Sequence, residues 1–492
     1  MKYQWALVSL LIATTCSIAE VLSLQECIDL AMQNNLQHQR NQQTLDNSRV
    51  QLTAAQAPFT FGMDAFVTAP SFTEERDTRD ADIALTTRVR EEQTNVSYLG
   101  NLRMTQRLRH LGQLTLTTTA LRSDFSSNRR AVQQNTEYVP NSINFLDYSG
   151  STRLAYERDI LGQPSEEIAL KRAEHSLQSA RLSFDRQRLQ LEGQVIDDYY
   201  DLVQSVRELE IEEQRLAQSR ANLELAQRKF EVGLIAEVEA LRLQVEMLQA
   251  EATYDQAQTN IESRRDLLRE TLGLDVWAPL EIDTEVQYEI HPIDAQRALE
   301  IGLARRTDMK RAEISEEISA LNLEETRRRN GINATFGANV SMQGRGSEIG
   351  DVSDTFERNR WGVDLQITLP LIDSGQRQAS ISQARIALEQ SRLGREQQRR
   401  QIIQQVRDAT RRVHEAERQI DLRQAALEFA QRTYDVEQSR FELGLADSQQ
   451  LLQAQGNLTQ ARINALAAVI GYQRQLKNVR LATMAELKEL AP

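Results

Sequence analysis

Two periodicities alternate along this chain, and each predicts a different element. Between Gln163 and Phe230, apolar residues recur every seven positions at Leu182, Leu189, Ile196 and Val203, then after one slip at Leu209, Leu216, Leu223 and Phe230. The spacing returns at Val406, Val413, Ile420, Leu427, Tyr434 and Phe441. A seven-residue repeat held this long predicts helices supercoiled against neighbours rather than wrapped round a globular core. At about 1.5 Å per residue each would span on the order of 100 Å. Each then meets a glycine, Gly233 or Gly444, a residue free to take the left-handed conformation that closes a helix. A second helical pattern runs back from about Ala236 to Leu272 and from about Asp447 to Met484. The prediction is two long hairpins, tipped by Val232-Gly233-Leu234 and Leu443-Gly444-Leu445.

Elsewhere the period falls to two. Ile332, Ala334, Phe336, Ala338, Val340 and Met342 alternate with polar or small residues, as do Trp361, Val363, Leu365, Ile367 and Leu369. These runs approach the roughly 9 to 11 residues that a membrane strand needs. The polar segment Gly344 to Arg360 between them suits an exposed loop. Four further candidates precede the first long helix: Phe59 to Ala69, Val96 to Arg107, Gln113 to Arg122 and Gly150 to Arg158. A turn near Leu111-Gly112 joins the middle two. A soluble β-domain with one wet face produces the same alternation. A membrane sheet, in contrast, cannot leave edges facing lipid, and single-chain barrels start at about eight strands. Four to six strands per chain would have to be pooled among copies.

The pattern is written twice. Lys229-Phe-Glu-Val-Gly-Leu-Ile235 returns 211 residues later as Arg440-Phe-Glu-Leu-Gly-Leu-Ala446. Gly162-Gln163 corresponds to Gly375-Gln376, and the opening Ser23 to Ala31 corresponds in pattern to Asp294 to Gly302. The predicted order is a leader (1–19), a first repeat (20–275), a connector with Trp277, Pro279 and Pro292 (276–292), a second repeat (293–485) and a tail (486–492). The leader reading rests on Lys2, the apolar run Trp5 to Ala13, and the small-x-small ending Ser17-Ile18-Ala19 of a secretory signal. Cys16 in that segment is poorly placed for lipidation, with Thr14 and Thr15 before it; its removal leaves Cys27 as the mature chain's single cysteine. No later run of about eighteen apolar residues marks a spanning helix.

The net charge of −13 disfavours a non-specific grip on nucleic acid. The histidines His38, His110, His175, His291 and His414 are dispersed without a metal-ligand pairing. Gly344-Arg-Gly346-Ser-Glu-Ile-Gly350 lacks the spacing and the βαβ setting of a dinucleotide loop. Asp77-Thr-Arg-Asp80-Ala-Asp82 lacks the glycine and glutamate of a calcium loop and reads as a solvated surface loop. Neither a phosphate-binding loop nor a nucleophile elbow is found, so no cofactor and no catalytic residue is expected.

An exported chain of two repeats, each with strands and a heptad helix turning at Phe-x-x-Gly-Leu, resembles the TolC-type outer-membrane efflux protein family. The specific features are Phe230 to Leu234, Phe441 to Leu445, and Thr368-Leu-Pro-Leu-Ile-Asp-Ser-Gly375. The resemblance implies a mainly α fold with β in tandem duplication. Coiled-coil hairpins would form a trimeric α-barrel, and membrane strands would be pooled into a shared β-barrel. The implied function is a passive exit duct in the outer membrane of a tripartite efflux or type I secretion system. Its implied partners are two further copies, a periplasmic adaptor (membrane fusion) protein, an inner-membrane pump and outer-membrane lipid. Gly233, Leu234, Gly444 and Leu445 become the adaptor-facing tips.

The usual member contributes four strands per chain, so six candidates here are a departure. Gln450 and Gln453 stand where the family often carries acidic residues at its entrance, leaving Glu237, Glu239 and Asp447 to supply a compensating ring. The first turn of a helix favours carboxylates in any case. The competing reading of the whole chain is a soluble periplasmic adaptor or structural protein.

Overall fold

The computed structural model describes residues 21–82, 87–109, 111–133, 136–137, 141–161, 165–356, 358–369 and 371–491. The leader 1–19 with Cys16, and the Gly162-Gln163 junction, lie outside them. In chain order the elements are β1 (Val21–Leu22), α1 (Leu24–Asn34), α2 (Leu36–Gln56), β2 (Gly62–Asp82), β3 (Thr87–Leu108), β4 (Gly112–Gln133), β5 (Thr136–Glu137) and β6 (Asn141–Leu161). There follow α3 (Ser165–Glu231), α4 (Glu237–Leu272), β7 (Glu281–Ile282), α5 (Ala295–Arg305), α6 (Thr307–Arg329), β8 (Asn333–Gly346), α7 (Ile349–Asp354), β9 (Arg358–Thr368), α8 (Gln376–Glu442) and α9 (Ser448–Thr483). The chain divides into two units, one of residues 1–45, 179–313 and 393–492, the other of 46–178 and 314–392.

The first unit is helical. The helices α3 and α8 are each 67 residues long, and α4 and α9 are each 36. Every boundary of the second pair lies 211 residues beyond its counterpart in the first. Short helices seal the two hairpins. Ser23 caps α1 in a reciprocal capping box with Glu26, and Asp294 caps α5 by accepting from the Gln296 amide. The two apolar cores repeat as well. Leu191, Val195, Leu202, Ile261 and Leu268 are buried in one. Ile402, Val406, Val413, Tyr472 and Val479, each 211 residues on, are buried in the other. Cys27 on α1 and Ala298 on α5 are both fully buried between their hairpins. The segment before α5 is held down by tyrosines: the Tyr199 hydroxyl donates to the Asp283 carbonyl at 2.7 Å, and Tyr472 accepts from the His291 amide at 2.9 Å.

The second unit holds an antiparallel sheet of order β2-β3-β4-β6-β8-β9, with β5 adding two residues beside β4. Four of its strands are 21 or 22 residues long, about twice the alternating runs visible in the sequence. Beyond those runs polar and charged residues predominate and the apolar ones, such as Phe72, Phe125 and Phe145, are scattered, so no sustained alternation marks the extension. Backbone pairing carries it there, with cross-strand ion pairs such as Arg76 with Glu92 at 3.5 Å and Arg129 with Glu91 at 3.4 Å. The Asp77 to Asp82 stretch, expected as a loop, is strand paired with β3. The expected loop Gly344 to Arg360 contains the one-turn helix α7, held where the Thr355 hydroxyl accepts from the Arg345 amide at 3.0 Å.

Candidate functional site

Two features stand out: the hairpin ends in the first unit and the two faces of the sheet in the second. At the hairpin ends, Gly233 and Gly444 adopt φ +76° and +75°. The Leu234 amide reaches back to the Lys229 carbonyl and the Gly233 amide to that of Phe230, both at 2.8 Å. Leu445 and Gly444 repeat this with Arg440 and Phe441 at 2.8 and 3.0 Å. These paired bonds are a Schellman closure, which satisfies the last helical carbonyls and requires the left-handed glycine. Open space surrounds both glycines, and Val232, Leu234, Leu443 and Leu445 are exposed.

The carboxylates near these turns differ in setting. Asp447 caps α9 by accepting from the Gln450 amide at 2.8 Å. Glu239 comes from the other hairpin to the same helix start, where it accepts from the Ser448 amide at 3.1 Å and from the Ser448 hydroxyl. Glu237 is exposed in the first turn of α4. Unpaired amides and the positive end of the helix dipole account for the first two placements.

The hairpins meet at their ends through unlike residues. Phe441 is buried, whereas Phe230, in the same position of the repeated motif, is 43% exposed. Its inward place is taken by Lys229, whose ammonium donates to the Phe441 carbonyl and lies 4.6 Å from the centre of the Phe441 ring. Burial lowers the pKa of this lysine, partly opposed by Glu442. Gln455, also buried, donates to Ser219 at 2.8 Å and accepts from Asn222 at 3.2 Å.

In the sheet, strand register assigns every residue to a face. Met63, Met104, Leu116, Leu154, Val340 and Trp361 stand directly opposite one another, forming one apolar row across all six strands. The next residue of each strand belongs to the reverse face, where Asp64, Arg103, Thr117, Arg153, Ser341 and Arg360 form an equally continuous polar row. The apolar side chains on β9 are open to solvent, with Trp361 at 76% and Val363 at 60%. α7 and Phe356 lie over this face at Gly150 and Gly344; a sheet with one otherwise exposed apolar face and one charged face suits a wall between lipid and water. No helix among the described residues is long and apolar enough to cross a membrane. Among the described residues, no cluster of His, Cys, Asp and Glu could hold a metal ion.

Residues 298–485, spanning α9, α8 and the β8-β9 strands, match the sequence model of the family described as outer membrane efflux protein. The chain carries an outer membrane efflux protein domain. That family is one of non-enzymatic transport components. A search of curated proteins returns no match. Among solved structures, the chain is similar to the CmeC outer membrane channel of Campylobacter jejuni, at 13% identity and a TM-score of 0.68 over 94% of this chain and 85% of that one. It is similar to the outer membrane protein VceC of Vibrio cholerae, at 15% identity and 0.67 over 94% and 95%. It is also similar to a membrane protein from Pseudomonas aeruginosa, at 16% identity and 0.69 over 94% and 92%. At such identities the likeness shows that the fold around the efflux domain is that of these proteins.

At the hairpin ends the structure brings Glu239 and Asp447 together at the start of α9. Lys229 and Gln455 went unnoticed in the sequence. A signal was present, because Lys229 faces Arg440 in the repeated motif and the two carry like charge in unlike settings, buried and half-exposed.

Proposed function

We propose that this protein is the outer-membrane exit duct of an efflux system, through which substrate passes passively to the exterior. The observation that carries the reading is the unbroken apolar row backed by an unbroken polar row across six strands. A soluble adaptor has no use for an exposed apolar face of this extent. Six strands are too few to close on themselves, so copies must share one barrel.

The helices favour the same assembly. On α8, Leu422, Phe429 and Val436 stand seven residues apart, with Leu443 continuing the spacing into the tip, and each is more than half exposed. On α4, Val238, Leu241, Val245 and Leu248 form a second exposed stripe at coiled-coil spacing. In a homotrimer these stripes are the seams between subunits. The matched lengths and the cores repeating 211 residues apart support tandem duplication of one hairpin unit. The exposed tips at Gly233-Leu234 and Gly444-Leu445 then receive a periplasmic adaptor that links the duct to an inner-membrane pump. Glu237 is the remaining exposed carboxylate available to an entrance ring, with Glu239 and Asp447 occupied in capping α9.

The test is to extract the mature protein from outer membranes in mild detergent and measure its oligomeric mass. Three copies in the membrane fraction are expected; a soluble monomer in the periplasmic fraction would overturn the reading.

A further inference from the structure

We infer that Arg103, Arg153 and Arg360 form a cationic belt on the polar face of the sheet, which favours the passage of solutes bearing carboxylate or phosphate groups. This rests on the duct reading above and adds to it the charge class of what passes.

Strand register sets the belt. Arg103 stands opposite Thr117, Thr117 opposite Arg153, Arg153 opposite Ser341, and Ser341 opposite Arg360. An arginine therefore occurs on every second strand, β3, β6 and β9, with a small hydroxyl residue between. Neighbouring strands lie about 4.8 Å apart, so the cations repeat at roughly 10 Å, close to the distance over which physiological salt screens a charge. All three arginines are exposed. Asp64 on β2 is the single acid of the row, and the next rows of the same face, two residues away on either side, contain none. Each strand of the belt places its residue directly beside the apolar row from Met63 to Trp361, at the level where the wall meets lipid. A low-dielectric wall at that level concentrates the field of the charges it carries.

The three cations are also left available. Farther along the same face, Arg107 is engaged by Glu166 at 2.7 Å and Arg345 by Asp147 at 3.1 Å. Among the described residues no carboxylate forms an ion pair with Arg103, Arg153 or Arg360. Arg103 lies 5.9 Å from the centre of the Phe66 ring, an interaction that uses none of its hydrogen-bond donors. Arginine stays charged at every physiological pH, and its planar fork of donors matches a carboxylate or a phosphate. Rings of arginine or lysine favour anions in a pore, as rings of acids favour cations. In a chain of net charge −13 the belt is a local reversal of sign.

The test uses full-length protein in intact cells, in a Cys27→Ala background, with Thr117→Cys placing a thiol between Arg103 and Arg153. Its reaction is timed with two methanethiosulfonate reagents of similar size, one anionic and one cationic, added from outside so that the periplasmic entrance plays no part. With two arginines about 5 Å away across the ladder, the anionic-to-cationic rate ratio is expected to be roughly 10-fold higher than after Arg103→Gln, Arg153→Gln and Arg360→Gln together. Lysine at the three positions keeps the charge and should keep the ratio. The ratio of the arginine protein should also fall in about 1 M salt, where screening acts within about 3 Å. That measurement decides the matter if the glutamine protein fails to reach the membrane. A ratio that neither glutamine nor salt lowers would overturn the belt while leaving the duct reading intact. A thiol at position 117 that reacts with neither reagent would mean that the polar face is closed to water, which would sink the duct reading itself.

Discussion

The Lys229 ammonium of one hairpin donates to the Phe441 carbonyl of the other and rests 4.6 Å from the centre of its ring. A charge-assisted hydrogen bond contributes about 1.5 to 3 kcal/mol, and a desolvated cation over an aromatic face adds about 1 to 2 kcal/mol. Lys229→Met keeps the aliphatic packing and removes both. It is expected to speed hydrogen exchange roughly 100- to 1,000-fold in the segments ending α3 and α8. Arg440→Met, at the half-exposed equivalent position, is expected to leave exchange unchanged.

Gly233 and Gly444 hold positive φ with nothing within reach of an added Cβ, so a substitution there acts through the backbone alone. Forcing a side chain into the left-handed region costs about 1 to 2 kcal/mol, and a β-branched residue costs more. Gly233→Val and Gly444→Val are expected to leave trimers intact in the membrane but to reduce export measured in cells; Asn at either site should be milder. Normal folding and normal export in both valine variants would remove these glycines from the adaptor-facing tips.

Cys27 is fully buried among Ile28, Val195 and Tyr199, and burial pushes its thiol pKa up to about 12, helped by the Glu26 charge. The thiolate is the reactive form, so a maleimide at pH 8 should leave Cys27 unlabelled in the native protein and label it after denaturation. Rapid native labelling would mean that the α1 seal opens.

Asp308 and Arg306 are both nearly buried, with Arg306 Nε 2.9 Å from the carboxylate. Burial raises the Asp308 pKa, but the hydrogen bonds and charge of Arg306, with Arg186 behind it, outweigh that and hold it below the ordinary value. A lowered carboxylate pKa stabilises the fold above the unfolded-state value of about 4, and that contribution is lost as pH falls through the folded value. Asp308→Asn should therefore lower stability at pH 7 by about 3 to 5 kcal/mol, since a buried arginine loses its counter-charge, and should flatten the acid limb of the stability profile. Thermal unfolding of both proteins between pH 3 and 7 checks this.

Much of the fold was legible because its two codes are physically distinct. The heptad from Val406 to Phe441 shows in sequence because most of those residues are buried against the return helix. The strands at Ile332 and Trp361 show because one face is apolar. The legibility failed where packing depends on partners that spacing does not encode. Phe230 continues the heptad yet points outward, because Lys229 finds a carbonyl and a ring on the neighbouring hairpin. Glu239 reads as an entrance charge until Ser448 is found beside it. The outer reaches of β2 to β6 were invisible because paired charges replace apolar alternation there.

The central claim is that the chain forms a water-filled passage through the outer membrane, and single-channel recording of the purified trimer in a planar bilayer tests it most directly. The account predicts stable unitary conductance steps. Trimers that insert but pass no current, with the entrance opened by substitutions at the tips, would contradict it.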